Sequence, residues 1–476
     1  MGGAPCDRGA EMSDSGGEPI CLACIGDAHL RARLAPEARF ATCAECGEDG
    51  NAVPLARLGE EIDETFQAHF DWTPYEQSPS AADIFVKIAG LEADLAWRIE
   101  NYLEERLGEI AAREDRQNPY DYSTGFAPAR TPMFWQDARW DRFCKTLRSD
   151  GRYFNNVATA WLDTIFAELE SHRTFDAASV IREIVPGAPD SHFYRGRVAT
   201  GEAELRTILA QPVLQIGPLP PGKGAAGRLN AAGISVFYGA TDAATCVSEI
   251  RPPVGAHVVL ARFDVIRPLR LLDCAALDRL ALTASPFDPA FVEKRDRAHF
   301  LKTFSDQIAR PVLPGEEALG YVPTQVVAEY LAERISPPID GLLYKSTQRG
   351  SAVGNVMLFH RSARVEAFPH HTHYLDLWIR EVDVDDESFD DGITLSLREI
   401  GAPDTTDPLS ALNPPPDPPV PEPLPASFTQ PDLDDTRPVT LRVVPETIAV
   451  EAIRATDYVR DKRQVEVRGT WPGPNE

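Results

Sequence analysis

Gly227-Arg228-Leu229-Asn230-Ala231-Ala232-Gly233-Ile234-Ser235-Val236-Phe237-Tyr238 concentrates more chemistry than any other stretch of the chain. Its first half sets glycines around an arginine and an asparagine, residues that turn the backbone and let it approach a ligand closely. Its second half, residues 234–238, is a short apolar run that reads as a strand ending in tyrosine. Upstream stands Phe193-Tyr194-Arg195-Gly196-Arg197, and downstream Thr241-Asp242 can cap a helix that carries Glu249. Farther on come Leu342-Leu343-Tyr344-Lys345-Ser346 and Gly354-Asn355-Val356-Met357-Leu358-Phe359. Residues 191–255 hold six bases and four acids, a local +2 inside a chain whose net charge is −26.

The organisation changes on either side of this region. Beyond Pro186, short β-branched runs at 234–238, 257–263, 341–344 and 355–359 alternate with Gly/Pro turns, the pattern of a mixed α/β domain. Before it, helices are predicted over 53–72, 82–113, 136–148, 152–171 and 175–184. In the second of these, Ile84, Ile88, Leu91, Leu95, Ile99, Leu103 and Leu107 recur at three- and four-residue steps and mark one buried face. The 476 residues exceed what one core serves. The expected partition is a disordered Gly-rich N-terminus (1–18), a helical domain (19–186), an α+β domain (187–380), an acidic Pro-rich insertion (381–438) and returning strands (439–476). Twelve of the 41 prolines fall between Pro403 and Pro438, and residues 381–436 carry fifteen acids against one base, Arg398. Fixed φ, missing N–H groups and self-repulsion make that stretch a solvated spacer. Strand-like patterns at 439–444 and 448–453 bring the C-terminus back to the fold.

Cys21-Leu22-Ala23-Cys24 and Cys43-Ala44-Glu45-Cys46 form two C-x2-C pairs separated by eighteen residues. Two thiolates on one tight turn reach a single ion, and a second such turn completes a tetrahedron, so structural Zn²⁺ is expected on Cys21, Cys24, Cys43 and Cys46. Four protein ligands leave no open position for water, which excludes a catalytic zinc there. His29, between the pairs, reads as helix surface; Cys144, Cys246 and Cys274 read as buried free thiols.

The net charge argues against general nucleic-acid binding and against attachment to anionic lipid. No apolar run approaches a membrane span, and the first twenty residues lack the apolar stretch of a signal peptide. A cytoplasmic protein is expected, with its eight cysteines reduced or metal-bound.

The order Arg-x-Arg (Arg195, Arg197), Gly-Arg-x-Asn-x-x-Gly (227–233), strand Tyr238, helix Glu249, Tyr-x-Ser (Tyr344, Ser346) and Asn355 resembles the RES domain, named for its Arg, Glu and Ser. The helical half with its cysteine pairs resembles the HEPN/RES N-terminal domain. Together the two resemblances cover about residues 20–365. Leu229 departs from the pattern, standing where many members have Trp, and the acidic insertion is not a general feature of the family. The resemblance implies an ADP-ribosyltransferase-like fold and a toxin-like or defence-related enzyme that consumes NAD⁺, with an antitoxin or regulatory protein as a conceivable partner.

The chemistry of the residues fits that implication. Guanidinium groups bind a pyrophosphate bidentately, and Arg195, Arg197 and Arg228 are the candidates. Asn230, Gly233 and Asn355 would shape the cofactor site, and Tyr238 would stack on nicotinamide. Breaking the nicotinamide–ribose bond develops positive charge on the sugar, which the Glu249 carboxylate would stabilise, while Ser346 would hydrogen-bond the nicotinamide ribose or Glu249 and orient either one. The ADP-ribose acceptor is water or phosphate in the leading reading; a protein or nucleic-acid acceptor is the second. A third reading is a non-catalytic or RNA-binding HEPN-type module. HEPN nucleases place Arg four to six residues from His on a helix, and neither His69 nor His172 has one at that spacing. His370, His371 and His373 read as a surface loop rather than a metal site.

Overall fold

The computed structural model describes residues 17–73, 78–114, 118–121, 125–129, 134–282, 284–309, 317–346, 348, 354–367, 373–379, 393–399 and 435–455. The expected disorder of the N-terminus, most of the acidic Pro-rich stretch, His370 and His371 lie outside the described residues. The chain divides into two compact units, residues 1–167 with 280–303, and residues 168–279 with 304–476. The division expected near 186 therefore falls earlier, and a later segment returns to the first unit.

In the first unit, strands β1 (Pro19–Cys21), β2 (Arg39–Thr42) and β3 (Asp49–Pro54) form an antiparallel sheet in the order β1-β3-β2, with helix α1 (Ala28–Leu34) between the first two. Helices α2 (Leu55–His69), α3 (Ala81–Ala89) and α4 (Ala93–Arg113) follow. The helix predicted over 82–113 is thus two helices. Gly90 ends α3 at φ 63°, a left-handed conformation that costs other residues strain, so the chain turns before α4 starts. The apolar face survives the break: Ile84, Leu91, Leu95, Ile99 and Leu103 are buried with Leu58, Ile62 and Phe66 of α2, and Ile88 and Leu107 pack on the same core. The helix predicted to 72 stops at His69, because β4 (Phe70–Thr73) pairs with β5 (Gly125–Pro128). Helices α5 (Phe134–Ser149) and α6 (Asn156–Ile165) complete this part, the latter capped by the Asn155 side chain.

The second unit is built on an eight-stranded sheet. Its strands are β6 (Ile181–Ile184), β7 (His192–Ala199), β8 (Phe237–Ala240), β9 (His257–Val265), β10 (Leu269–Asp273), β11 (Gly341–Tyr344), β12 (Asn355–Leu358) and β15 (Leu441–Ala452). Their order is β15-β9-β7-β8-β12-β11-β10-β6, and only β10–β11 is a parallel pair. The helix predicted over 175–184 is absent. Thr174 instead closes a tight loop, exchanging hydrogen bonds with Ala178 around Ala177 at φ 61°, and residues 181–184 pair with Leu269–Leu272 at the sheet edge. The strand expected over 234–238 begins only at Phe237. The two C-terminal strand patterns are one strand, β15, with an irregularity between Val444 and Ala449 and eight residues paired to β9. Two further strands, β13 (His373–Ile379) and β14 (Ile393–Glu399), pair with each other, so the window expected to be a spacer contains ordered strand, and His373 opens a strand rather than a loop.

Helices α7 (Glu202–Ala210) and α8 (Pro212–Ile216) follow β7, and α9 (Ala243–Ile250) follows β8. After α10 (Cys274–Leu277) come α11 (Phe291–Ala309), α12 (Glu317–Gly320) and α13 (Val322–Glu333). Phe193, Phe237, Phe263, Leu271, Leu343 and Val356 are fully buried in the main core of this unit. Among the described residues, no helix is long and apolar enough to cross a membrane.

Candidate functional site

Strands β7 and β8 are sheet neighbours that share a single register pair, Tyr194 with Ala240. Beyond it no further register pair joins them, and the Arg195 guanidinium bonds the Tyr238 carbonyl of β8. A cleft of about 290 Å³ opens at the split. Arg195, Gly196 and Arg197 line it from β7, and Tyr238, Gly239 and Ala240 from β8. Cys246, Glu249 and Ile250 come from α9, Tyr344 from β11 and Asn355 from β12. Helix α9 starts where Asp242 accepts the Thr245 N–H at 2.8 Å, the cap read from Thr241-Asp242.

The arginines are tied to backbone. Arg195 Nε donates to Ile216 O and Nη1 to Tyr238 O, both at 2.7 Å. Arg197 Nε donates to Gln215 O at 2.8 Å and Nη2 to Gly217 O at 3.2 Å. The Gln215, Ile216 and Gly217 carbonyls sit at the C-terminal end of α8, where cations are favoured. Each guanidinium has five N–H donors, so donors remain on both for a ligand. Among the described residues, neither has a carboxylate within ion-pair distance. Burial, with the Arg197 charge beside it, pushes Arg195 down to about 9, and burial lowers Arg197 as well. Two desolvated cations side by side cost energy that an anion would offset.

Opposite them, Glu249 Oε1 accepts from Ser346 Oγ at 2.7 Å and from Asn355 Nδ2 at 3.0 Å. Two side chains far downstream of α9, one just after β11 and one at the start of β12, thus fix one carboxylate. Asn355, expected to shape the cofactor site, holds Glu249, and Glu249 does not pair with Arg251, its charged neighbour at the end of α9.

The remaining residues singled out in the sequence organise the loop before β8. Asn230 Nδ2 donates to Ala225 O, Ala231 O and Ile234 O at 2.9–3.2 Å, and Asn230 Oδ1 accepts from the Tyr238 hydroxyl at 3.0 Å. That hydroxyl also accepts from Leu229 N at 3.1 Å. Burial pushes Tyr238 up to about 12. Gly233 joins the Gly222 and Gly224 backbone by hydrogen bonds of 2.9 and 2.8 Å. Arg228 Nη1 donates to Ile308 O at 2.8 Å, and Arg228, Asn230, Gly233 and Ser346 do not line the cleft. Six cleft residues lay outside the expected set: Gly196, Gly239, Ala240 and Ile250, together with Tyr344 and Cys246. Tyr344, whose hydroxyl burial keeps well above its usual range, was signalled by the Tyr-x-Ser pattern. Cys246, pushed up to about 12 by burial, is a buried thiol as expected, and also forms part of the wall.

In the first unit, the four paired cysteines meet. Their Sγ atoms all lie within 4.8 Å of one another, with Cys21–Cys24 at 3.5 Å, Cys21–Cys46 at 3.7 Å and Cys24–Cys43 at 3.9 Å. A tetrahedron with Zn–S near 2.3 Å has edges of about 3.8 Å, so the cluster fits that ion. Burial pushes the Cys43 thiol up, but the N–H groups of Cys21, Cys46 and Glu45 outweigh it and draw it down to about 6, whereas burial pushes the Cys21 and Cys24 thiols up. Arg98 of α4 anchors the module through Glu18 at 2.8 Å and through Glu45. His29 points elsewhere, with Nε2 4.0 Å from Asp288.

No curated protein and no solved structure matches the chain. Residues 203–380 match the family model described as RES domain, a stretch that takes in Tyr238, Glu249, Tyr344, Ser346 and Asn355, starts just beyond Arg195 and Arg197, and ends before β15. The chain therefore carries a RES domain.

Proposed function

We propose that the split between β7 and β8 binds NAD⁺ and that the protein cleaves its nicotinamide–ribose bond, passing ADP-ribose to water or phosphate. The RES domain is consistent with an NAD-related, toxin-like enzyme. The observation that carries the reading is the pairing, in one cleft, of a buried and a half-buried arginine, neither with a carboxylate partner among the described residues, and one carboxylate held by Ser346 and Asn355. The substrate has the matching polarity: an anionic pyrophosphate at one end and a pyridinium–ribose bond that becomes cationic at the sugar at the other. The volume lies at the small end of ligand clefts, roughly 300–1,000 Å³. It suits nicotinamide and its ribose, with the rest of the dinucleotide reaching outward.

In this reading Arg195 and Arg197 hold the pyrophosphate, and Tyr238 and Tyr344 flank the nicotinamide ring. Glu249 faces the anomeric carbon. As the C–N bond breaks, its electrons move to the ring nitrogen, and the carboxylate offsets the positive charge left on the ribose. Water or phosphate then forms the new bond at the same carbon. The Cys21–Cys46 module would hold Zn²⁺ for stability alone.

Glu249→Ala should lower NAD⁺ consumption about 100-fold or more, the scale of losing one preorganised transition-state group. Incubating purified protein with NAD⁺ and resolving the products tests both parts. Undiminished turnover in Glu249→Ala would overturn the mechanism, and NAD⁺ loss only with an added macromolecule would move the acceptor to protein or nucleic acid.

A further inference from the structure

Helix α13, 95 residues downstream of the Asn230 turn, reaches back to it. Gln325 Nε2 donates to Gly227 O at 2.8 Å and to Asn230 O at 2.9 Å, which uses both hydrogens of the amide. These carbonyls are the two ends of the turn, itself closed by Gly227 N donating to Asn230 O at 3.0 Å. One residue earlier, Thr324 Oγ1 donates to Arg228 O at 2.5 Å. The first turn of α13 therefore clips three carbonyls of a four-residue loop.

What the loop holds is the Tyr238 hydroxyl, between Leu229 N and Asn230 Oδ1. The packing there leaves no slack. A Cβ on residue 227 would sit 2.4 Å from Asn230 Oδ1 and 3.0 Å from the Tyr238 hydroxyl, so only glycine fits. A shift of the turn must carry the hydroxyl with it. The ring behind that hydroxyl lines the cleft, and the Tyr238 carbonyl is the acceptor for Arg195 Nη1.

We propose that Gln325 is a positioning residue for the cleft: its side-chain amide sets the 227–230 turn, the turn sets Tyr238, and Tyr238 sets the aromatic wall against which the nicotinamide end of the substrate rests. This rests on the reading of the cleft as an NAD⁺ site. Gln325 touches no substrate, so its loss should act on binding more than on bond breaking.

The test uses the full chain labelled with fluorotyrosine, its Tyr238 resonance assigned by Tyr238→Phe. Gln325→Met keeps the length of the side chain and removes both donors; Thr324→Val, nearly isosteric, loosens the same turn by a different bond should the first variant fold poorly. In either variant the Tyr238 resonance should shift or broaden. The KM for NAD⁺ should rise about tenfold in Gln325→Met with kcat changed less than about threefold, the weight of one to two buried hydrogen bonds acting on ground-state binding. An unmoved Tyr238 resonance would overturn the coupling, whatever the activity. A moved resonance with unchanged KM, in a protein that Glu249→Ala inactivates, would overturn the positioning role. If the wild type consumes no NAD⁺, the reading of the cleft falls instead, and the resonance decides the Gln325–Tyr238 link on its own.

Discussion

Glu249 owes its placement to two side chains that approach it from 97 and 106 residues away, Ser346 and Asn355. Both bonds end on Oε1, so removing one leaves the other to hold the carboxylate. Ser346→Ala and Asn355→Ala should each lower NAD⁺ turnover about tenfold, with the double variant departing from the product of the two, because both act through one group. Steady-state rates of the three variants check this, and full additivity would show that the two residues act apart. A second residue-scale effect belongs to the first unit. His69 Nδ1 is buried without a hydrogen-bond partner among the described residues, and the ring lies 4.7 Å from that of Phe291. Burial, with Arg295 nearby, lowers its pKa. The folded state therefore takes up a proton less readily than the unfolded chain. The stability this contributes is present above the unfolded value of about 6.5 and is lost as pH falls below it. Melting temperatures between pH 7.5 and 5 should fall less steeply for His69→Phe than for wild type.

At the scale of elements, the cysteine module shows how a short pattern becomes a site. The turn after β1 and the turn between β2 and β3 bring four sulfurs together because β1 and β3 pair, Cys21 opposite Ala52. The spacing announced the four thiols; the ladder brought them together. The purified protein should contain about one zinc per chain, and a strong chelator or Cys43→Ser should lower the melting temperature and release the metal. Elemental analysis with no zinc, or a chelator without effect on melting, would remove the assignment. The helical periodicities were legible because apolar spacing is a local property, and the buried face from Ile84 to Leu103 lies where the pattern places it. Their ends were not, because ends depend on φ at one residue, such as Gly90, or on a partner strand, as at His69.

At the scale of the second unit, the C-terminal strand closes one edge of the sheet. Thr440, just before β15, joins a buried network in which Arg267 donates to Thr440 Oγ1, Asp340 Oδ1 and Ser362 Oγ at 2.7–3.0 Å. Leu441 and Val443 enter the main core. Ending the chain at residue 438 should expose β9 and these apolar side chains, giving an aggregating or unfolded product. Soluble, cooperatively melting protein from that truncation would contradict the role given to β15.

What the sequence determined by itself is the chemical inventory. The order of Arg195, Arg197, Tyr238, Glu249, Ser346 and Asn355, the thiolate spacing, and the local +2 within a chain of −26 are all properties of neighbours along the chain. Tertiary structure alone decided which of those residues share a cleft. Arg195 and Glu249 line it, whereas Asn230, Gly233 and Arg228 do not. It also decided that residues 181–184 are an edge strand and that Gln325 grips the loop before β8. The physical reason is the same in each case. Hydrogen bonds and strand pairing across a hundred residues depend on register in space, and the divergence of β7 from β8 after one shared pair, which opens the cleft, leaves no periodic trace in either strand.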